Sequence, residues 1–130
     1  MRIYLDSAQV IDLIEQVAPF AAKVLARIGV PGTVLVSSHL TCMECSILPL
    51  RNGDAALLLN FNAFFSTQVA EMIPFTESVF RTAAIIRAQT SIKTPDALHL
   101  AAAMEAKCDI FLTNDIRLKT FVGITVEVVS

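Results

Sequence analysis

The sequence lacks the features of a secreted or membrane-bound protein. It has three cysteines in 130 residues, and an odd number of thiols gives no disulfide framework, which fits a reducing compartment. No apolar run reaches the roughly 18 to 20 residues that a membrane span needs, and Asp6 interrupts the N-terminal stretch too early for a secretory signal. We therefore expect a cytoplasmic protein without a membrane segment.

The chain also lacks the surplus of lysine and arginine that usually gives affinity for phosphates. Its formal net charge is -2 at pH 7, which taken alone argues against a nucleic-acid partner. That argument weakens where carboxylates hold a divalent metal, because each bound cation reverses the charge that a phosphate meets. The position of the carboxylates therefore matters more than their number.

Linkers, repeats and low-complexity tracts are missing too, so nothing divides the chain. With 130 residues and 55% hydrophobic content, we expect one domain over residues 1–130. Strands are predicted at 3–5, 33–37, 69–73, 110–113 and 125–129, and helices at 10–17, 20–28, 39–48, 54–65, 76–88, 94–107 and briefly from 115. This alternation predicts an α/β fold with three layers, α/β/α, around a central, mainly parallel sheet.

Residues at the boundaries of two predicted helices give more specific expectations. Ser38 is expected to cap the helix that follows it, and Pro49 is expected to end or kink the same helix. Thr94-Pro95-Asp96 resembles a helix start, with a hydroxyl cap, a proline at the first helical position and an acid in the first turn.

Most of the twelve acidic residues have an ordinary explanation as solvated charges. Asp12 and Glu15, for example, are expected to lie opposite the apolar stripe of the first helix. Asp6 and Asp115 differ, because each follows a buried strand, at the carboxyl end where open α/β sheets gather their ligands. We expect these two carboxylates to be neighbours if their strands adjoin.

Two further acids are expected to point towards protein. Glu44 lies four residues after Leu40 and three before Ile47, on the helix side that we expect to face the core. Asp96 begins a helix that is otherwise nearly all apolar and therefore packed. Four such carboxylates would repel one another unless a cation held them together, so the pattern favours a divalent metal site.

Each acid also has a purely structural explanation. Asp6 and Asp115 could each cap a helix, and Asp96 could serve only the helix dipole. Glu44 could simply pair with an arginine. Singly, each of these explanations is as good as the metal site, whereas the four together favour the metal.

A zinc site is the competing metal hypothesis. Cys42 and Cys45 have CxxC spacing, but they lie within one predicted helix and no second CxxC exists. Buried thiols are therefore the better interpretation. His99 lies three residues after Asp96, where it could support the acidic cluster or pack in the core.

The residues that would contact a nucleic acid directly are not ranked by the sequence. Three phenylalanines could stack on bases, but their helical spacing is more typical of a core or a dimer surface; they are Phe61, Phe64 and Phe65. The candidate phosphate contacts are Arg51, Arg81, Arg87, Lys93, Arg117 and Lys119.

Four segments carry a resemblance to a known family. They are IYLDS (3–7), LTCME (40–44), TPDALHLA (94–101) and LTND (112–115). In order and spacing they resemble the successive motifs of PIN-domain nucleases, especially the VapC-type toxins, over nearly the whole chain. The segments that contain Asp96 and Asp115 are the most specific of the four.

The resemblance implies a metal-dependent endoribonuclease that uses Mg²⁺ or Mn²⁺, acts as the toxin of a toxin-antitoxin pair, forms a homodimer and binds a cognate antitoxin. It assigns catalysis and metal binding to Asp6, Glu44, Asp96 and Asp115, with support from Ser7, Thr113 and Asn114. Some relatives carry an asparagine shortly after the first Asp or a further acid after the last motif, and this chain has neither. The alternatives are a PIN-family nuclease that is not a toxin, and a PIN-like interaction module without catalysis.

Overall fold

The structure, a computed structural model, describes residues 1–129, in which five parallel strands form one sheet. The strands are β1 (Arg2–Leu5), β2 (Val34–Ser38), β3 (Glu71–Ile73), β4 (Ile110–Thr113) and β5 (Thr125–Val128). Their order is β3-β2-β1-β4-β5, and each neighbouring pair is parallel. The predicted α/β class and parallel sheet are confirmed.

The helices alternate with the strands, as the sequence predicts. They are α1 (Ser7–Ile14), α2 (Phe20–Ile28), α3 (His39–Asn52), α4 (Ala55–Thr67), α5 (Glu77–Gln89), α6 (Thr94–Glu105) and a 3₁₀ helix (Ile116–Thr120). No helix within residues 1–129 is long and apolar enough to cross a membrane.

The central strands are buried on both faces, which explains their continuous apolar sequences. In β1, Tyr4 packs in one hydrophobic cluster with residues of α5 and α6. Its neighbours Ile3 and Leu5 pack in a second cluster with residues of α1, α2 and α4. The second cluster also holds the three phenylalanines of α4, which confirms their assignment to the core; they are Phe61, Phe64 and Phe65.

Helix α3 buries a different face from the one predicted. Met43 and Ile47 are 56% and 43% exposed, whereas Thr41, Cys45 and Pro49 are buried. The buried face is partly polar because the Thr41 hydroxyl donates a hydrogen bond (3.3 Å) to the last backbone carbonyl of β1. Of the two expected effects of Pro49, an end or a kink, the first does not occur, because the helix continues three residues further, to Asn52.

Neither of the two hydroxyl groups expected to cap a helix forms a capping hydrogen bond, although both helices begin where the sequence predicted. Ser38 occupies the N-cap position of α3, but its side chain makes no capping hydrogen bond. Its hydroxyl instead lies 2.7 Å from the phenolic oxygen of Tyr4. Thr94 is the first residue of α6, and Lys93 stands at the N-cap position without a side-chain cap. Pro95 and Asp96 lie in the first turn of α6, as predicted.

The first predicted helix is shorter than its apolar pattern suggested. It ends at Ile14, and Gln16 adopts a positive φ of 55°, which is outside the right-handed helical region. Val17, expected on the apolar stripe, is 39% exposed.

The thiols divide between two environments: Cys45 is buried, while Cys42 and Cys108 are half-buried.

Candidate functional site

The order of the strands places two of the predicted acids at one edge of the sheet. The chain moves outwards from β1 to β2 and β3 on one side, and β4 and β5 lie on the other. Open α/β sheets form their ligand crevices where the strand order reverses in this way, at the carboxyl ends of the strands. Asp6 directly follows β1 and Asp115 follows β4, and these two strands pair. The two acids were expected to be neighbours if their strands adjoin, and the strands do adjoin.

Asp6 is the most deeply placed of these acids. Its side chain caps α1 by accepting a hydrogen bond (3.1 Å) from the backbone N–H of Ala8, and the residue is only 8% exposed. Burial, together with the negative charges of Asp96 and Glu44, raises the pKa of Asp6 to about 7, against the opposing effects of His99 and the Ala8 N–H. A carboxylate here is therefore costly to ionise without a nearby cation.

Asp96 lies in the first turn of α6 and is half-buried. Burial raises its pKa, and so do the charges of Asp115 and Glu44, while His99 and Arg117 lower it. Asp96 and Glu44 also raise the pKa of Asp6. The four predicted carboxylates thus form one electrostatically coupled group.

Glu44 is held by a buried hydrogen-bond relay. One of its carboxylate oxygens lies 2.6 Å from Nε2 of His99, and Nδ1 of the same ring lies 2.8 Å from the hydroxyl of Tyr4. The Tyr4 hydroxyl lies 2.7 Å from that of Ser38. Burial raises the pKa of Tyr4, so the phenol keeps its proton and can donate it to Nδ1, which leaves the Nε2 proton for Glu44. Ser38, Tyr4 and His99 thus form a series of hydrogen bonds that ends at Glu44, the Ser38–Tyr4–His99 relay.

The inward orientation of Glu44 was predicted for the wrong reason. Its helix neighbour Ile47 faces solvent, so a shared core-facing side does not explain it. Contact with His99 explains it instead. The alternative, in which Glu44 pairs with an arginine, is wrong too, since its partner is His99. Tyr4 and Ser38 were missed, although a tyrosine inside an otherwise aliphatic strand could have signalled a buried polar partner.

Asp115 lies at the mouth of the site, where its carboxylate is paired with Arg117. Nε and Nη2 of Arg117 lie 2.9 and 2.7 Å from the two carboxylate oxygens. This pairing lowers the pKa of Asp115. The Asp115 side chain also accepts a hydrogen bond from the backbone N–H of Arg117 and so caps the 3₁₀ helix, while its own N–H donates to the Thr113 hydroxyl (3.0 Å). Thr113 therefore positions the backbone of the acid.

A small cavity opens beside these residues. Its volume is about 90 Å³, and Asp96 and Asp115 contribute to its wall together with two cations, Lys93 and Arg117. Acidic and basic groups thus meet at one surface depression, which suits a ligand that carries both metal and phosphate.

A polar network extends from the acids to α1. The amide of Gln9, which is fully buried, lies between Asp6, the carbonyl of Leu112 and the backbone N–H of Asn114. The Asn114 side chain donates a hydrogen bond (2.8 Å) to Asp12. Asp12 is therefore half-buried and bonded, and its assignment as a solvated charge is wrong. Gln9 was not predicted as a site residue, because a single glutamine beside an apolar stripe carries no distinctive pattern.

The remaining supporting residue, Ser7, is the first residue of α1. Within residues 1–129 its hydroxyl has no hydrogen-bond partner, while its carbonyl accepts a weak bond from the thiol of Cys45 at 3.9 Å. Burial raises the pKa of Cys45 to about 12. Cys45 is thus a buried, neutral thiol, in agreement with its interpretation as a core residue.

The donor set fits a hard divalent cation in its chemistry. Carboxylate oxygens are the ligands that Mg²⁺ and Mn²⁺ prefer. Among the described residues, however, no three His, Cys, Asp or Glu side chains are already arranged around a common metal position. Glu44 is turned towards His99 and Asp115 towards Arg117. Metal binding would therefore require at least Asp115 to turn from its present partner.

Comparison with known proteins gives a family and a set of structural neighbours. The profile of the PIN domain family matches residues 3–123, which is most of the chain and shows the family. A comparison with curated proteins finds no match.

Three solved structures share the fold at low sequence identity. VapBC2 from Rickettsia felis, bound to a promoter DNA fragment, aligns with a TM-score of 0.81 at 15% identity over all of both chains. A toxin-antitoxin complex from Klebsiella pneumoniae has a TM-score of 0.73 at 16% identity over 96% of each chain. VapC20 from Mycobacterium tuberculosis, a toxin that cleaves the sarcin-ricin loop, has a TM-score of 0.68 at 16% identity over 95% of this chain and 98% of that one.

Proposed function

We propose that this chain, which belongs to the PIN domain family, is a single-domain endoribonuclease that depends on Mg²⁺ or Mn²⁺ and acts in the cytoplasm as the toxin of a toxin-antitoxin pair. The observation that carries the proposal is the coupling of four carboxylates at the reversal of strand order. The charges of Asp96 and Glu44 raise the pKa of Asp6, and the charges of Asp115 and Glu44 raise the pKa of Asp96. Such a group is unfavourable in a protein that has no cation to offer it.

Each acid would have a distinct role in that site. Asp6, whose carboxylate is fixed by the Ala8 N–H, would be the rigid ligand at the base. Glu44 would be oriented by His99, and Asp96 would enter from the first turn of α6. Asp115 at the mouth would join them after it leaves Arg117. Four carboxylates exceed what one Mg²⁺ usually takes from a protein, which leaves some free to act on water as proton acceptors.

A divalent cation at this position would supply Lewis-acid chemistry, polarising a phosphodiester and lowering the pKa of an attacking water. The protein's own contribution is geometry. The relay holds Glu44 in one orientation, the strand ends fix Asp6 and Asp115, and the packed walls of the crevice limit access of bulk water to Asp6.

The toxin and antitoxin parts of the proposal rest on the structural neighbours. Two of them are described as a VapBC and a toxin-antitoxin complex, and a third as an RNA-cleaving toxin. FitAcB from Neisseria gonorrhoeae is a further neighbour, with a TM-score of 0.60 at 18% identity. By analogy with these proteins we propose RNA as the substrate, a small antitoxin as the partner and a homodimer as the assembly.

Cleavage of RNA by the purified protein tests the enzymatic part. We expect single-stranded or structured RNA to be cleaved when Mg²⁺ or Mn²⁺ is supplied, and EDTA to stop the reaction. Asp96→Asn should lose at least 100-fold in rate, because it removes a ligand charge. Glu77→Gln is the matched control, since Glu77 is an exposed acid paired with Arg81 on α5. Cleavage that continues undiminished in EDTA would rule out the metal mechanism.

Growth and assembly test the biological part. Induced expression of the wild type should arrest growth, Asp96→Asn should not, and co-expression of a small protein encoded beside this one should restore growth by forming a complex. Light scattering of the purified chain should give the mass of a dimer. RNA cleavage without any effect on growth would favour a nuclease that is not a toxin, and intact RNA in every condition would favour the non-catalytic interaction module.

A further inference from the structure

Arg117 occupies an unusual position in this site. Its side chain is 80% exposed, and among the described residues its guanidinium bonds only to Asp115. The pairing is bidentate, with one nitrogen opposite each carboxylate oxygen at 2.9 and 2.7 Å. Both oxygens that a metal would need on this acid are therefore taken by the protein's own cation.

The other basic residues do not share this position. Several are engaged elsewhere, because Arg2 pairs with Glu71 and Arg27 pairs with Glu127. Of the six candidate phosphate contacts that the sequence left unranked, Arg117 and Lys93 line the cavity formed with Asp96 and Asp115. The structure thus ranks two of the six by their place at the acidic site.

We propose that Arg117 exchanges partners during the reaction cycle: it neutralises Asp115 while the site holds no metal, and it binds an RNA phosphate once a divalent cation has taken Asp115. This inference rests on the proposed function, and it assigns to Arg117 a role that the acids alone do not supply.

The first half of the exchange follows from competition for the same oxygens. A carboxylate whose two oxygens face a guanidinium cannot coordinate a metal until that ion pair opens. Because the pair is exposed and screened by solvent, it is weak enough to open readily. Arg117 should therefore lower the metal affinity only modestly, while protecting the metal-free site from the repulsion between Asp115 and Asp96.

The second half follows from the shape of the guanidinium. The planar fork that fits two carboxylate oxygens also fits two oxygens of a phosphate. Arg117 follows Asp115 by two residues at the start of the 3₁₀ helix, so a released side chain stays at the mouth of the cavity. Lys93 on the other wall adds a second positive charge, which would draw the RNA backbone across the acids.

The test is to measure metal and RNA separately in Arg117→Ala. We expect calorimetry without RNA to show Mn²⁺ binding about two- to fivefold tighter than in the wild type, because the competing cation is gone. We expect the KM for RNA to rise about three- to tenfold with kcat within about twofold, because a phosphate contact is lost. Arg117→Lys should fall between the two proteins in KM, since it keeps the charge but lacks the fork.

Arg81→Ala is the matched control. Arg81 also forms an exposed ion pair, with Glu77, but its neighbour Thr82 contacts Glu105 at the far end of α6. Nine residues separate Glu105 from Asp96, which places the control roughly 13 Å along the helix from the site. Arg81→Ala should leave both the Mn²⁺ affinity and the KM unchanged.

The decisive result is tighter binding of Mn²⁺ together with a higher KM for RNA in Arg117→Ala. If Arg117→Ala changes only one of them, or behaves like Arg81→Ala, the exchange of partners is wrong while the proposed nuclease stands. If the wild type neither binds Mn²⁺ nor cleaves RNA, the proposed function fails and this inference fails with it. Because Arg117 is exposed, the variant should fold, and Arg117→Gln provides a second variant that keeps a polar side chain but removes the charge.

Discussion

At the scale of single residues, capping and site formation are not alternatives in this protein. Asp6 and Asp115 each cap the element that follows them, with side chains that accept from the backbone N–H groups of Ala8 and Arg117. Both also belong to the coupled acidic group. The same geometry that stabilises a helix start fixes the carboxylate at the strand end, so a cap explains how each acid is held rather than why it is there.

The relay gives a prediction for His99. His99→Ala removes the donor that orients Glu44 and leaves the Tyr4 hydroxyl without its ring partner. Outer partners of metal ligands typically contribute about 10- to 100-fold in metal affinity or activity. We expect Mn²⁺ affinity and kcat to fall within that range while the KM for RNA changes little. His99→Gln, whose amide can still donate to Glu44, should recover part of the loss; wild-type Mn²⁺ affinity in His99→Ala would show that the relay serves packing alone.

Asp6 gives a prediction on stability in the metal-free protein. Its folded pKa of about 7 lies above the ordinary value of 3.8, so the folded state binds the proton more tightly than the unfolded chain. The resulting stabilisation is complete below about pH 4 and is lost as the pH rises towards 7. In EDTA, Asp6→Asn should therefore lose less free energy of unfolding than the wild type between pH 4.5 and 7.5, as measured by urea denaturation. Equal losses in the two proteins would contradict the burial argument.

At the scale of elements, the sequence predicts what local pattern controls. The strands and most helices follow from apolar periodicity, and the position of Asp6 and Asp115 after the carboxyl ends of two paired strands follows from the rule for strand ends. The buried face of helix α3 was predicted wrongly because it carries the polar Thr41, while the apolar Met43 faces solvent. The apolar pattern therefore indicates the helix correctly and its orientation wrongly.

The parts of the site that the sequence could not give are contacts between distant segments. His99 meets Tyr4 across 95 positions of the chain, and Asn114 meets Asp12 across 102. Local periodicity carries no information on such pairs, because each residue fits the helix or strand pattern of its own segment whether or not the other residue is there. Asp12 is an example: its position on the helix predicted a solvated charge, whereas its carboxylate is bonded to Asn114.

Helix α4 supplies a prediction that separates capping from chemistry. Asp54 caps it by accepting a hydrogen bond (3.0 Å) from the backbone N–H of Leu57. Asp54→Ala should lower the free energy of unfolding by about 0.5–2 kcal/mol, and Asp54→Asn should cost little, because asparagine caps nearly as well. Both variants should cleave RNA at the wild-type rate. Asp115→Asn should preserve its cap in the same way but lose cleavage, so equal activity in the Asp54 and Asp115 variants would contradict the assigned site.

At the scale of the whole molecule, the acidic net charge and a nucleic-acid substrate are compatible. Ten basic residues face twelve acidic ones, but four of the acids belong to the proposed metal site. One bound divalent cation adds two positive charges, which takes the formal net charge from -2 to 0. The positive charge lies at the acidic site, so the affinity of the molecule for RNA is tied to its metal occupancy.

Thermal unfolding of the whole protein tests whether the acids converge on a metal. A ligand that binds only the folded state stabilises it by about 2.7 kcal/mol at a hundredfold excess over its Kd, which corresponds to a rise in Tm of roughly 10 °C for a chain of this size. We expect that rise in Mg²⁺ or Mn²⁺, its reversal by EDTA, and its near absence in Asp96→Asn. In EDTA, Asp96→Asn should melt at or above the wild-type temperature, because it relieves repulsion from Asp115 and Glu44. Glu77→Gln should keep the full rise. If Asp96→Asn and Glu77→Gln respond to metal alike, the metal does not bind at the four acids.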